Sequence, residues 1–325
     1  MDETSAHKYL KRQFATKNSN VLLGIGDDSS VLKLNPGKVI LASSDTLVEN
    51  VHFLKEKITP FQIGQKAVAV TVSDISAMGG VPIFILSSIG IEKDCFKIIF
   101  KNIMNGIKSA CKEFDVELVG GNLSQSETFF IDITAIGEIN PEKIIKRSGA
   151  KSGDKIYVTG SIGDSALGLM FLNKKDATEN TEFLINRHIK PMPRLKIGSL
   201  LGEKAIPSSM IDISDGLIID LSRITTDFNI GAEVELEKIP LSRDYLSHYQ
   251  QFCDDKYSLA LSGGEDYELL FTAHPEKIEE IQKISLNTGI KISEIGTVTE
   301  SQNIKFIETS GIIKNYNSKG FIHFN

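Results

Sequence analysis

Apolar positions along the chain switch repeatedly between a helical period and short β-branched runs. Residues 1–16 place Tyr9, Leu10 and Phe14 on one helical face. Residues 39–42 read as a strand leading into Ser43, Ser44, Asp45 and Thr46. Thr59 and Pro60 open a helix, because Thr caps free amides and Pro fits a first turn. That helix runs to about Met78 and stops at Gly79-Gly80. A strand over 83–89 follows, then a helix over 94–114 carrying Phe96, Ile99, Ile103, Ile107, Ala110 and Cys111. A short strand over 117–119 ends at Gly120-Gly121-Asn122, and another spans 129–136. Beyond the turn-rich RSGAKSGD at 147–154 the alternation resumes. Strands are expected over 155–159, 209–213 and 267–273, and helices over 163–173, 193–203, 215–228 and 275–287. Segments 171–192 and 241–256 show no clear period and are expected to be surface loops or lids. The fold class is α/β, with α+β mixed sheets. At ~100–200 residues per domain, 325 residues imply two domains, 1–148 and 149–325.

Composition removes several classes of protein. With 41% apolar and 24% charged residues, the chain can bury a core and is not a disordered one. Lys and Arg total 36 against 42 Asp and Glu, and the net charge of −6 gives no global pull toward nucleic acid or anionic membrane. Cys95, Cys111 and Cys253 form no CxxC pair, which argues against a disulfide framework or a zinc site and for a reducing cytoplasm. The apolar run at 81–86 is far shorter than the ~20 residues of a membrane span. The first residues lack the apolar core of a signal peptide. A cytoplasmic protein is expected.

The chemistry lies in aspartates. There is no P-loop, H-E-x-x-H pair or G-x-S-x-G elbow. Asp27 and Asp28 follow a glycine turn, Asp45 follows a strand and two serines, and Asp74 interrupts the apolar VAVTVSDISAMGG. Asp212 and Asp215 flank Ser214 at a strand-to-helix junction. Any one of these has a plainer reading as a backbone cap or a polar helix position. Together they place carboxylates in apolar sequence, where unpaired charge is costly. Mg²⁺, which prefers carboxylate oxygens, water and phosphate, resolves that conflict. The residues alone therefore read as a multi-Mg²⁺ site for phosphates. The glycine pairs 79–80, 120–121 and 263–264 allow close backbone approach, Arg147 offers a planar fork for phosphate, and His52 stands alone between Val51 and Phe53.

Six segments in order, GIGDDSSVL, SSDTLVENVHF, GQKAVAVTVSDISAMGGVP, RSGAKSGDKIYVTGSIGDSALGL, IDISDGLIIDL and LSGGEDYELLF, resemble the thiamine-monophosphate kinase family, as does the terminal KGFIHF. The resemblance covers residues 24–271 and lies within the aminoimidazole ribonucleotide synthetase-like superfamily. It implies that superfamily's two-domain architecture and a homodimer joined through N-terminal sheets. It also implies ATP-dependent phosphorylation of thiamine monophosphate to thiamine diphosphate, with several Mg²⁺ ions. By motif position it implies metal ligation by Asp28, Ser43, Ser44, Asp45, Asp74, Asn122, Asp212 and Asp215. It implies ATP contacts at Gly121, Asn122, Arg147 and Ser214, and thiamine-phosphate contacts at His52, Glu265 and Phe321. Asn122 departs from the family, which has Asp in GGDTT where this chain has GGNLS. No catalytic base is expected, since a phosphate monoester with a second pKa of ~6 is already ionised at neutral pH. Two further readings use the same residues: another ATP-dependent synthetase of the superfamily, and a catalytically weak relative that binds nucleotide or thiamine phosphate.

Overall fold

The structure, a computed structural model, describes residues 3–16, 18–94, 96–174 and 181–316. The chain divides into two compact units, Met1–Ile75 with Gly80–Glu142, and Ser76–Gly79 with Lys143–Asn325.

The first unit contains α1 (Glu3–Gln13), the hairpin β1 (Val21–Leu23) and β2 (Val31–Leu32), then β3 (Val39–Val48), α2 (Pro60–Ala77), β4 (Val81–Ile91), α3 (Phe96–Phe114), β5 (Glu117–Gln125) and β6 (Phe130–Ile139). Its main sheet has the order β3-β6-β4-β5, antiparallel except for the β4–β5 pair. Strict alternation in β6 buries Ile131, Ile133, Ala135 and Ile139 and leaves Phe130, Asp132, Thr134 and Ile136 half-buried on the other face. Helix α2 starts as expected. The Gln62 amide donates to Thr59 Oγ1 at 3.3 Å, and the Thr59 amide donates to Gln62 Oε1 at 2.9 Å, a reciprocal cap. Helices α2 and α3 meet at Gly106, where a Cβ would lie 1.9 Å from the Phe61 carbonyl oxygen. Gly106→Ala is therefore expected to cost about 2–3 kcal/mol by forcing the helices apart. Urea unfolding followed by circular dichroism measures this, and a loss below ~0.5 kcal/mol would show that the crossing yields freely.

The second unit contains β7 (Lys155–Thr159), α4 (Asp164–Asn173), α5 (Glu182–Ile189), α6 (Leu195–Glu203), β8 (Ser209–Asp212), α7 (Leu217–Ser222), β9 (Gly231–Glu235), α8 (Arg243–His248), α9 (Ser258–Ser262), β10 (Leu269–Ala273), α10 (Ile278–Thr288), β11 (Ile292–Thr299), β12 (Ile304–Ile307) and β13 (Ile313–Lys314). These strands form one sheet in the order β13-β12-β9-β11-β7-β10-β8, antiparallel except for β9–β12. Alternate residues of β7 serve two cores. Ile156 and Val158 pack with Leu167, Leu217, Leu221 and Leu261, while Tyr157 packs with Ile197, Leu201, Ile281 and Ile284. The sheet thus lies between two helical layers, in keeping with the expected mixed α/β class.

Several boundaries differ from the sequence reading. The strand expected over 39–42 continues through the serines and Asp45 to Val48, held by ten consecutive pairings with β6. The strand expected to end before Gly120 runs on to Gln125, with a register irregularity at Val119, after which Gly120 and Gly121 pair with Leu86 and Ser87. The helix expected over 215–228 is confined to Leu217–Ser222, because the Asp220 carboxylate draws in the amides that precede it. The segments expected to be loops hold α5, with Leu184, His188 and Ile189 buried, and α8, with Tyr245 buried. Strands β9 and β11 had no counterpart in the sequence reading. Cys95 and Phe321 lie outside the described residues.

Candidate active site

In the first unit, strand alternation sorts the serines and acids of β3 onto two faces. Ser43 and Asp45 turn toward α2, where the Ser43 hydroxyl donates to the Asp74 carboxylate. Burial, aided by the negative charges of Asp74 and Asp132, pushes the Asp45 carboxyl up to about 6, against the opposing hydrogen bond from Thr71. Ser44 faces the other way. Its hydroxyl donates to Asp132 Oδ1 at 3.2 Å, and Thr46 Oγ1 donates to Asp132 Oδ2 at 2.6 Å. Asp132 pairs with Ser88 of β4, which pairs with Asn122 of β5, so Thr46, Asp132, Ser88 and Asn122 form one row across the sheet. The Asn122 amide nitrogen donates to Ser124 Oγ at 3.0 Å. Gly121 lies beside it in β5, paired with Ser87.

Asp28 is exposed in the glycine turn, its amide donating to Asp27 Oδ1 at 2.9 Å. His52 sits in the turn after β3, where its Nδ1 accepts the Val48 amide at 3.0 Å. Ser43, Asp45 and Asp74 are thus brought together, Ser44 and Asn122 join them only through the strands they share or pair with, and Asp28 stands apart in its turn. Among the described residues no three Asp, Glu, His or Cys side chains are grouped so as to hold a metal ion alone. The donors present are all oxygens, which suits Mg²⁺. That ion commonly takes one or two carboxylates and completes its shell with water and substrate phosphates.

In the second unit Asp212 ends β8, buried, and the chain turns through Ser214, Asp215 and Gly216. Their three amides donate to Asp220 Oδ2 at 3.0, 3.0 and 3.1 Å, so they are spent on shaping the turn. Burial nonetheless pushes the Asp220 carboxyl up to about 6, with those amides and Arg223 opposing it. Arg223 forks between Asp220 and Asp215, each at 2.7 Å, so a metal at Asp215 would compete with a guanidinium. Arg147 is exposed in its turn.

The Ser262–Glu268 loop presses on this turn. A Cβ at Gly264 would lie 2.2 Å from the Ser214 carbonyl oxygen, so only glycine allows the approach. The next residue, Glu265, has φ 64° and donates its amide to that same carbonyl at 2.8 Å. Tyr267, two residues on, has φ 51°. Left-handed non-glycine residues cost about 1–3 kcal/mol each and cluster at functional sites. Between them the Asp266 carboxylate accepts the Gly163 amide at 2.7 Å and the Ser165 amide at 3.2 Å. Burial pushes the Asp266 carboxyl up to about 7, although Arg187 opposes the shift.

Beyond it Glu268, fully buried, accepts from Thr159 Oγ1 at 2.6 Å, Arg187 at 2.8 Å, Arg194 Nε at 2.6 Å and Arg194 Nη2. His188, beside Arg187 on α5, lies 3.1 Å from Glu265. A cavity of about 850 Å³ opens in this unit, walled in part by Tyr157, Phe183, Arg187, Arg194 and Lys291, and none of the residues named from sequence lines it.

Sequence reasoning missed Asp132, Asp220, Glu268 and the α5 pair. Asp132 did leave a signal, as a lone acid at an outward position of the alternating FIDITAI. Glu268 sits in the quoted SGGEDYEL motif, but nothing local tied it to Arg187 and Arg194 some 80 residues earlier in the chain (81 and 74 residues away).

The family models described as AIR synthase related protein, N-terminal domain and C-terminal domain, match residues 26–139 and 151–308. Thiamine-monophosphate kinase of Buchnera aphidicola subsp. Schizaphis graminum is 36% identical over 312 residues, 95% of this chain and 94% of that one. The crystal structure of thiamine-monophosphate kinase from Stenotrophomonas maltophilia K279a aligns with TM-score 0.84 at 28% identity, over 93% of this chain and 95% of that one. A structure described as AaThiL complexed with AMPPCP and TMP aligns with TM-score 0.78 at 31% identity, over 99% and 97%. Among the described residues no helix is long and apolar enough to cross a membrane. With the likeness running the length of both chains, and the acids and strained glutamate lying on the segments that carry it, this chain belongs to the thiamine-monophosphate kinase family.

Proposed function

We propose that the chain transfers the γ-phosphoryl group of ATP to the phosphate of thiamine monophosphate, forming thiamine diphosphate. The observation that carries this reading is the Ser43–Asp45–Asp74 grouping, embedded in a chain 36% identical to a thiamine-monophosphate kinase over nearly its whole length. The acceptor oxygen is ionised at neutral pH, so no side chain has to remove a proton. The difficulty is bringing two polyanions together. When bound, Mg²⁺ supplies the positive charge that offsets phosphate repulsion. Asp45 and Asp74, with the Ser43 hydroxyl, would hold one ion on one face of β3, and Asp132 and Asn122 would offer oxygens to a separate ion on the other. Asp28, Ser44, Asp212 and Asp215 complete the proposed metal set. Gly121, Asn122, Arg147 and Ser214 are the proposed ATP contacts, and His52, Glu265 and Phe321 the acceptor contacts. These groups supply position and electrostatics rather than covalent chemistry.

The same reading includes two domains, 1–148 and 149–325, with the matched family models ending at 139 and resuming at 151. It includes a cytoplasmic setting and a homodimer. The half-buried Phe130 and Ile136 on the open sheet face, with Ile83 and Leu86 of β4, are apolar surface suited to a second copy.

Chromatography of purified protein with ATP, Mg²⁺ and thiamine monophosphate tests the reaction, with free thiamine as control. Thiamine diphosphate formed from the monophosphate alone supports the reading. ATP binding without product moves it to the weak relative or to another acceptor. Asn122→Asp adds a carboxylate to the row that holds Asp132. It is expected to lower the Mg²⁺ concentration for half-maximal rate by about 3–10-fold, because ligand charge tunes cation affinity. A magnesium titration at saturating substrates reads this, and an unchanged midpoint would exclude Asn122 from the metal shell.

A further inference from the structure

We propose that His188 is the positioning residue for Glu265, so that α5 sets the affinity for the acceptor. The inference rests on Glu265 being an acceptor contact. His188 is 3% exposed, and its Nδ1 lies 3.1 Å from Glu265 Oε2 and 3.2 Å from Ser165 Oγ. The Ser165 amide in turn donates to Asp266, the residue after Glu265. Glu265, His188, Ser165 and Asp266 therefore close a circuit. The loop fixes the serine, and the serine hydroxyl and the loop's own glutamate both lie against the single Nδ1 of the imidazole, whose N–H donates to the carboxylate.

The anchor of the helix is separate. Arg187, the neighbouring residue of α5, pairs with Glu268 at 2.8 Å, three positions beyond Glu265. Two adjacent side chains of one helix thus grip both ends of Glu265–Glu268. The grip falls on a residue whose left-handed backbone already stores strain. A carboxylate whose side chain is 26% exposed and whose Oε2 lies against a buried ring is an ordered group. The chemistry it suits is a cationic or amine-bearing heteroaromatic, and the acceptor has both, a thiazolium and an aminopyrimidine. The adenine of ATP bears an amine but no fixed positive charge, so removing the clamp should weaken the acceptor more than ATP.

Steady-state kinetics on His188→Leu, His188→Asn and Glu265→Gln test the proposal, with thermal melting to establish folding. His188→Leu is expected to raise KM for thiamine monophosphate about 10-fold, the effect of one buried hydrogen bond to a charged group, with KM for ATP within about twofold. His188→Asn, whose amide nitrogen approximates Nδ1, should recover most of the loss. In the Glu265→Gln background the His188→Leu change should add little, because the two act on one interaction. An unchanged acceptor KM in His188→Leu, alongside a raised one in Glu265→Gln, overturns the proposal and leaves the acceptor reading standing. An unchanged KM in Glu265→Gln overturns both. Should His188→Leu fail to fold, His188→Phe carries the test. It keeps a ring in the buried site and removes the Nδ1 donor, so it should raise the same KM severalfold, and an unchanged value overturns the clamp.

Discussion

Asp45→Asn is expected to lower kcat for thiamine diphosphate formation by at least ~10³-fold while leaving the fold as stable as the parent in metal-free buffer. The two halves of that result have one cause. Asp45 is held where burial, Asp74 and Asp132 all disfavour a negative charge, and only the Thr71 hydrogen bond favours it. A folded chain gains nothing from such a carboxylate, so an amide of the same shape relieves repulsion and keeps an acceptor for Thr71. In the proposed reaction that charge would draw a divalent cation to the phosphates. Asp74→Asn should behave alike, and the double variant should be little worse than either single one, since the two acids act as a unit.

Kinetics at saturating substrates read the first half of this result. Thermal melting with and without Mg²⁺ and ATP reads the second, with the parent stabilised by the additions and Asp45→Asn much less so. Activity within tenfold of the parent would remove the acids of β3 and α2 from the mechanism.

The helices and the acids were legible in the sequence for different reasons. Helix α3 buries a long apolar stripe, so its period survives in the sequence, while α2, buried on nearly all faces, is marked by Thr59 and Pro60 at its start. Asp74 was visible because charge inside VAVTVSDISAMGG demands an explanation. The ends of β3 and β5 were not visible. They continue through Ser43-Ser44-Asp45 and Gly120-Gly121-Asn122, held in the sheet by pairing with β6 and β4 rather than by apolar pattern. The division of Ser43 and Asp45 from Ser44 is set by the two-residue strand period once the strand is known to continue. The partnership of Ser44 with Asp132 spans 88 residues and depends on register, which local spacing does not encode. Helix α5 was hidden for a similar reason. It has only eight residues, and its buried side chains include a histidine as well as Leu184 and Ile189, so it shows no long apolar stripe. The ion cluster of the second unit was illegible because its partners come from β7, α5, the start of α6 and the loop before β10.

That cluster sets the second large effect. Glu268→Gln is expected to destabilise the chain by about 3–5 kcal/mol, a large fraction of the ~5–15 kcal/mol typical of native proteins. Glu268 is fully buried and is the common anion for Arg187 and Arg194, which are 11% and 15% exposed. An amide keeps the shape but offers one acceptor oxygen, and it turns a donor toward guanidinium groups that only donate. Two cations would then stay buried around a neutral group, with Asp266 and Asp164, the latter 3.9 Å from Arg187, as the remaining counter-charges. The loss should appear as a lower urea midpoint with little change in slope.

Arg194→Gln alone should also destabilise, since it leaves Glu268 with fewer donors. Combined with Glu268→Gln it should cost clearly less than the sum, because the second change removes a cation the first had stranded. Strict additivity would mean that the three charges do not depend on one another. Glu268 is joined to Glu265 through the two residues between them and by two adjacent side chains of α5. A partial loss of the cluster should therefore reach the acceptor KM before it reaches the ATP KM.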